Sequence, residues 1–155
     1  IAGIFKSDDI QGHQRYLGYL AAMRDAGLPI PDDRVLWYTT EERRYLLDYG
    51  HNDLLNHFIQ FYLKDCTAVI CYNDEIADRI IRMLLGSGHR VPADTAVVSF
   101  DNSYYSDLCP VRITSLAHEA HRLGSIAAEL LLERMAGRQV ESQSITWRLI
   151  QKESS

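Results

Sequence analysis

The amino-acid sequence predicts an α/β fold built on a doubly wound parallel sheet. Short apolar runs alternate with segments of helical periodicity along the chain, an order that is typical of parallel strands joined by crossover helices. Two of the apolar runs, residues 68–72 and 96–100, end directly at polar side chains, Asn73 and Asp101. Because parallel strands end at the same edge of a sheet, we expect both side chains at one rim, where open α/β sheets bind ligands.

The first half of the chain contains three predicted strands and two predicted helices. The strands are residues 1–5, 35–38 and 68–72, and the helices are residues 11–26 and 52–64. Gly27 is expected to end the first helix, and Pro29 and Pro31 prevent its continuation. Residues 39–49 are charged and show no clear periodicity, so they receive no assignment.

The second half continues the alternation of helix and strand. It contains predicted helices at residues 75–85 and 119–136 and predicted strands at residues 96–100, 113–116 and 145–150. Asn73 or Asp74 can cap the first of these helices, whose acidic first turn suits the positive helix N-terminus. Gly86 and Gly137 are expected to end the two helices. Alternation of apolar and polar residues predicts a partly exposed last strand.

Composition limits the possible functions. The chain has 155 residues, of which 46% are apolar and 24% are charged, as in a soluble globular domain. Its net charge is −5, and no Lys/Arg cluster is dense enough to follow a phosphate backbone, so direct DNA binding by this chain is not expected. No apolar run approaches the roughly 20 residues of a membrane span.

Motifs for catalysis and cofactor binding are missing from the sequence. It has no P-loop, no Gly-x-Ser-x-Gly nucleophile elbow and no His-Glu-x-x-His zinc motif. Its three cysteines form no Cys-x-x-Cys pair, which favours a reducing compartment and a cytoplasmic protein. We therefore expect no enzyme activity, no cofactor and no metal.

The start of the sequence bears on its completeness. The chain opens directly in a predicted core strand at Ile1, with no starting Met and no signal peptide before it. Natural proteins rarely begin inside a buried strand. We therefore expect this chain to be a fragment of a longer protein.

Four phrases resemble the effector-sensing domain of the lactose/galactose repressor family. Residues 67–77 match its strand–Asn-Asp–helix phrase, and residues 91–101 match its Val-Pro-x-Asp…Val-Val-x-Phe-Asp phrase. Residues 15–19 are similar to its Arg-x-x-Gly-Phe phrase, with Tyr in the place of Phe. The Asp-Asp-x-Gln-Gly motif at residues 8–12 is closer to the motif of the arabinose-responsive repressors, which join this sensor to a winged-helix DNA-binding domain.

The resemblance covers nearly the whole chain and implies how it is organised. In the family the sensor has two lobes joined by three crossovers. By resemblance, residues 1–112 and 144–155 form the second, C-terminal lobe, and residues 113–143 belong to the first, N-terminal lobe. Most of the first lobe and the DNA-binding domain would lie upstream, so contact with DNA would be made only by that absent domain.

The resemblance also implies that Arg15, Asn73 and Asp101 contact sugar hydroxyls. A guanidinium, an amide and a carboxylate together supply the donors and acceptors that hydroxyl groups require. Each residue also has a simpler interpretation. Arg15 could be a solvated or ion-paired surface residue, Asn73 a helix cap, and Asp101 part of an Asx turn.

Four further residues complete the predicted sugar site. Asp9 and Gln11 lie in the predicted rim loop before the first helix, and His118 lies where the family's chain crosses between lobes. Tyr38 could supply a flat face for a sugar ring, as could its neighbour Trp37, although core packing is the alternative for both. His118 and His121 also have metal-ligand spacing, but with no third ligand nearby in sequence the metal signal is weak.

A dimer interface is predicted on the helix at residues 75–85 and the loop at residues 103–109. The helix carries more apolar side chains than one sheet contact uses, and the loop adds aromatic residues that are favoured in interfaces. The predicted interface residues are Ile76, Ile80, Met83, Leu84, Tyr104, Tyr105 and Leu108. By resemblance, family members pair through this face with two-fold symmetry. The alternative is a helix buried on both sides within its own lobe.

The leading hypothesis is therefore a sugar-binding and dimerisation domain of a bacterial transcriptional repressor, and the resemblance of residues 8–12 favours an arabinose-responsive one. By resemblance, a small-molecule sugar is its effector and shifts the dimer between DNA-competent and DNA-incompetent states. The main alternative is a periplasmic sugar-binding protein of a transporter, which shares the two-lobed fold. The second alternative is an enzyme on a similar sheet, for which the sequence offers no motif.

Overall fold

The structure is a computed structural model and describes residues 1–30, 32–47 and 53–155. Its strands are β1 (Ala2–Lys6), β2 (Val35–Tyr38), β3 (Ala68–Cys71), β4 (Ala96–Phe100), β5 (Thr114–Ala117) and β6 (Arg148–Ile150). They form one sheet in the order β2-β1-β3-β4-β5-β6. Strands β1 to β5 pair in parallel, and β6 runs antiparallel to β5. The predicted α/β fold with a doubly wound, mainly parallel sheet is confirmed.

Helices connect these strands. They are α1 (Ile10–Asp25), α2 (Arg43–Leu47), α3 (Asp53–His57), α4 (Asp74–Gly86), α5 (Tyr105–Leu108) and α6 (Ala120–Met135). A 3₁₀ turn spans Asp32–Arg34, and a π-helical turn, Phe58–Tyr62, continues α3. The predicted helix at residues 52–64 is therefore two pieces, and its first residue, Asn52, lies outside the described residues, as does Pro31. Residues 39–49 had no assignment, and their described part contains α2.

The sheet has a different layer on each face. On one face, Ile4, Val69 and Val97 pack with α4 in the larger hydrophobic core. On the other face, Phe5 packs with Tyr19 and Met23 of α1. Side chains that alternate along each strand enter opposite layers, as the two-residue period of a strand requires.

The apolar residues of α4 serve this core. Ile76, Ile80 and Leu84 are fully buried within the chain, and Met83 is half-buried. The prediction that these helix residues form a dimer surface is therefore wrong for Ile76, Ile80 and Leu84. The helix buries more of its circumference than one sheet contact uses because α2, α5 and the strands all pack against it.

Helix α6 departs from this packing. Four of its apolar side chains are exposed: Leu123 by 50%, Leu131 by 61%, Leu132 by 65% and Met135 by 76%. Strand β5 precedes the helix and pairs with β4, so residues 114–117 belong to this sheet although the sequence assigned residues 113–143 to another lobe.

Among the described residues, we find no helix with the length and apolar character that a membrane span requires.

Gly12 marks the closest approach of α1 to the sheet. A Cβ atom added at Gly12 would lie 1.8 Å from the Lys6 carbonyl oxygen. We expect Gly12→Ala to lower the free energy of unfolding by about 2 kcal/mol, because backbone must move to accept the methyl group. Gly18→Ala on the same helix meets nothing within 4 Å and should instead raise stability by about 0.5–1 kcal/mol. Urea denaturation of both variants measures the difference, and equal effects would contradict this packing.

Candidate functional site

The structure brings Arg15 and Asp101 together at the carboxyl rim of the sheet. Arg15 lies in the second turn of α1, and Asp101 directly follows β4. Arg15 Nη2 donates to Asp101 Oδ1 at 2.8 Å, and Arg15 Nη1 donates to the carbonyl oxygen of Tyr72, the residue that follows β3. Arg15, which follows the loop after β1, is also predicted to lie at the rim with Asp101, and the structure confirms that the two converge there. Asn73 follows Tyr72 at the same end of β3.

Two aromatic rings hold the guanidinium of Arg15. Its Cζ atom lies 4.6 Å from the centroid of Tyr72 and 4.5 Å from that of Phe100. The Arg15 side chain is only 9% exposed, whereas that of Asp101 is 37% exposed. Stacking on two rings fixes the plane of the guanidinium, and it retains N–H donors beyond the two used here.

Asp9 extends this arrangement on the side of α1. Its Oδ1 caps the helix by accepting from the Gly12 N–H at 2.6 Å, and its Oδ2 accepts from the Tyr72 hydroxyl at 2.6 Å. The Lys6 ammonium lies 3.1 Å from the same carboxylate. Burial raises the pKa of the Asp9 carboxyl, but these hydrogen bonds and the Lys6 charge outweigh it and hold the pKa below its usual value.

Tyr72→Phe tests this link through its pH dependence. The change removes one hydrogen bond to a charged carboxylate and should lower the free energy of unfolding by about 1 kcal/mol at pH 7. Because folding lowers the pKa of Asp9, its contribution is complete above the unfolded pKa of 3.8 and is lost as the pH falls through the folded pKa. The difference from the wild type should therefore shrink at pH 3. Urea denaturation at both pH values measures it, and an undiminished difference at pH 3 would contradict the link.

The turn that carries Asp101 has an unusual backbone. Asp101 and Asn102 have positive φ angles of 94° and 45°, a region that favours glycine. Hydrogen bonds fix the turn: the Asp101 N–H donates to the Leu116 carbonyl at 2.8 Å, and the Asn102 N–H donates to Ser115 Oγ at 3.0 Å. Strand β5 thus holds the strained corner in place.

The buried carboxylate of Asp74 also holds this turn. Asp74 is fully buried, and its Oδ2 accepts from the N–H of Ser103 at 2.5 Å. Its Oδ1 accepts from Ser115 Oγ at 2.7 Å and from Ser99 Oγ. Asp74 also stands at the first residue of α4, where the helix N-terminus favours a negative charge. The sequence suggested Asp74 only as a cap, and the structure gives it this second role.

Lys152 supports the turn from the C-terminal segment. Its side chain is 11% exposed, and its ammonium donates to Asn102 Oδ1 at 3.0 Å, Ser106 Oγ at 2.7 Å and Asp107 Oδ1 at 2.8 Å. Sequence reasoning gave no signal for Lys152, because its partners lie about 50 residues earlier in the chain.

The remaining predicted site residues are placed differently. Asn73 is a helix cap, because its Oδ1 accepts from the Ile76 N–H at 3.1 Å at the start of α4. Gln11 is exposed at the start of α1. The structure does not place Tyr38 where a ring could stack on a sugar. Tyr38 is 1% exposed and packs in the core with its ring edge toward Tyr72.

His118 lies at the same rim, beside a residue that sequence reasoning missed. Its ring contacts Trp147 at a centroid distance of 4.9 Å, and Trp147 in turn lies 6.3 Å from Phe100. The Nδ1 atom of His118 is buried and has no hydrogen-bond partner among the described residues. Tyr72 and Phe100 were also missed, although the sequence shows an aromatic residue at the carboxyl end of each of these two predicted strands.

A cavity of about 960 Å³ runs along the sheet beside α1, from Ala96 at the amino end of β4 to Phe100 at its carboxyl end. Gln11, Arg15, Phe100 and Trp147 border it, and apolar side chains of α1 and the sheet form its floor. Its combination of a few polar groups with apolar walls is typical of small-molecule sites. Within the described part of the chain, no three His, Cys, Asp or Glu side chains are grouped to hold a metal ion.

The family comparison agrees with this fold. The model of the periplasmic binding protein-like domain matches residues 1–155. The chain therefore belongs to this family.

Similar proteins are transcriptional regulators. The arabinose metabolism transcriptional repressor of Geobacillus stearothermophilus is 32% identical over 142 residues, which cover 91% of this chain and 38% of the relative. The transcriptional repressor PurR of Vibrio parahaemolyticus is 31% identical over 84% of this chain and 37% of its own length. A solved structure, the transcriptional regulator CelR in complex with cellobiose, has a TM-score of 0.83 and 25% identity, and the match covers 99% of this chain and 46% of that chain. The chain thus spans about two fifths of the length of these curated relatives.

Proposed function

We propose that this chain is the effector-binding lobe of a sugar-responsive transcriptional repressor. The observation that carries the proposal is the ion pair of Arg15 and Asp101 at the carboxyl rim of a parallel sheet, with the Arg15 guanidinium stacked on two aromatic rings. Hydroxyl groups of a sugar would meet donors from Arg15 and acceptors from Asp101, with Asp9, Gln11, Asn73 and His118 around them. The named regulators among its relatives support this function.

The sugar class follows from the same relatives. The 32% identity with an arabinose metabolism repressor favours arabinose or a similar monosaccharide. Names of transcriptional regulators, not of transporter components, also favour a repressor over a periplasmic sugar-binding protein. A repressor acts on DNA, so we place the protein in the cytoplasm, with binding of an effector and not catalysis as its activity.

We propose that the chain is the C-terminal lobe of a two-lobed sensor, formed by residues 1–112 and 144–155. Strand β5 pairs with β4 in the sheet of this lobe, so only the part of residues 113–143 that follows β5 would contribute to the first lobe. The exposed apolar side chains of α6 would then contact that lobe. A DNA-binding domain in the longer protein would make the contact with the operator, since this chain carries a net charge of −5.

Dimerisation through the loop after β4 remains part of the proposal. Tyr104 and Leu108 are 65% and 70% exposed, and Tyr105 stacks on Tyr104 at a centroid distance of 4.3 Å. Aromatic and apolar residues exposed side by side are typical of the centre of an interface. Together with Met83, which is half-buried on α4, these residues would form the contact between two copies in place of the buried residues of α4.

A mobility-shift assay tests the proposed function. The full-length gene product that contains this chain is mixed with DNA from upstream of its own gene, and arabinose, cellobiose and glucose are added separately. We expect one sugar to change the amount of bound DNA at millimolar concentration or below. Binding of DNA that no sugar alters, or no binding of DNA, would contradict the proposal.

A further inference from the structure

Trp147 lies at the same rim as the Arg15–Asp101 pair because of the direction of β6. This strand is antiparallel to β5, and Arg148 at its start pairs with Ala117 at the end of β5. Trp147, one residue before β6, therefore reaches the edge where the parallel strands end. Its contact with His118 at 4.9 Å places the ring there.

Trp147 extends a row of contacting groups that begins at the Arg15 guanidinium and includes the Phe100 ring. The guanidinium of Arg15 stacks on Phe100 at 4.5 Å, and the Phe100 ring contacts Trp147 edge-on at 6.3 Å and 87°. Arg15, Phe100 and Trp147 all border the cavity of about 960 Å³. The Arg15 guanidinium and the Trp147 indole ring therefore face one space.

Core packing does not account for this indole. Trp147 is 43% exposed, and its neighbours Arg148 and Leu149 on β6 are also exposed. A sugar has hydroxyl groups around its edge and an apolar C–H face. A site that binds it closely needs polar partners for the edge and a flat apolar partner for the face, and a large, amphipathic tryptophan ring suits the second role.

We propose that Trp147 supplies the apolar surface on which the sugar ring of the effector lies, while the hydroxyl groups point to Arg15 and Asp101. This inference rests on the proposed function. It adds a binding residue, and through the shape of the indole it restricts the effector to a ring with an unobstructed C–H face.

Calorimetric titration of the full-length gene product with arabinose and with cellobiose tests this role. Trp147→Leu should weaken binding of the sugar that binds by about tenfold, and Trp147→Phe, which keeps a flat ring, by about threefold. Leu149→Ala is the matched control, because Leu149 is 61% exposed on β6 and does not border the cavity. Its affinity should equal that of the wild type.

Tryptophan emission gives a second measurement, which a merely structural role would not change. The sugar should alter the emission of the wild type and of Leu149→Ala, and this change should be reduced or lost in Trp147→Phe. Unchanged affinity in Trp147→Leu would overturn the inference and leave the proposed function intact, as would an emission change that persists in full in Trp147→Phe. If Trp147→Leu fails to fold, the emission of Trp147→Phe decides. Absence of sugar binding by the wild type would overturn both.

Discussion

Replacing Arg15 with alanine is expected to weaken sugar binding by the full-length gene product by about a hundredfold. The change removes the donors proposed to meet the sugar, and it leaves the Asp101 carboxylate without its partner at 2.8 Å. It also empties the space between Tyr72 and Phe100 that the guanidinium fills. Calorimetry with arabinose or cellobiose, whichever binds the wild type, measures the effect.

Two variants sharpen this test. Arg15→Lys keeps the positive charge but not the planar fork that stacks between two rings, so it should recover only a small part of the affinity. Arg24→Ala removes an exposed arginine from the last turn of the same helix and should bind like the wild type. Wild-type affinity in Arg15→Ala would remove Arg15 from the site.

Asp74→Ala is expected to lower the free energy of unfolding by about 3 kcal/mol. The Asp74 carboxylate is fully buried and accepts hydrogen bonds from Ser99, Ser115 and the backbone N–H of Ser103. A serine hydroxyl can turn to another acceptor, but the Ser103 N–H is fixed and would lose its partner. The strained turn at Asp101 would also lose its anchor, so sugar affinity should fall together with stability.

Urea denaturation measures the loss, with Asp25→Ala as the control. Asp25 is exposed at the last residue of α1, and its removal should change stability by less than about 0.5 kcal/mol. An Asp74→Ala protein as stable as the control would contradict the role of the buried carboxylate. A stable variant with normal sugar affinity would show that the turn does not depend on it.

The elements of the sheet could be predicted because their signals are local. The run at residues 68–72 followed by Asn73, and the run at residues 96–100 followed by Asp101, correctly indicated two parallel strands that end at one rim. That Arg15 and Asp101 lie at one rim was predicted from their positions after strand ends, but the ion pair between them was not predicted. Each of these inferences needs only a short stretch of sequence.

The supporting residues could not be predicted because they depend on contacts across the chain. Lys152 meets Asn102 only because the C-terminal segment returns past β4 and β5, and Trp147 reaches the rim only because β6 is antiparallel. Ile80 was placed on a dimer surface because its period fits either a core or an interface. Whether Ile80 lies in the core or in an interface depends on how many helices and strands pack against α4, and the periodicity of the sequence does not give that number.

A crystal structure of the full-length gene product with its sugar tests the central claim most directly. The proposal predicts sugar hydroxyl oxygens within about 3.2 Å of the Arg15 guanidinium nitrogens and the Asp101 carboxylate oxygens. A second cavity, of about 360 Å³, lies at the opposite, amino end of the strands and is bordered by Lys64, His89 and Asp94. A sugar bound there, or anywhere that leaves Arg15 and Asp101 without a contact, would contradict the assignment of the site.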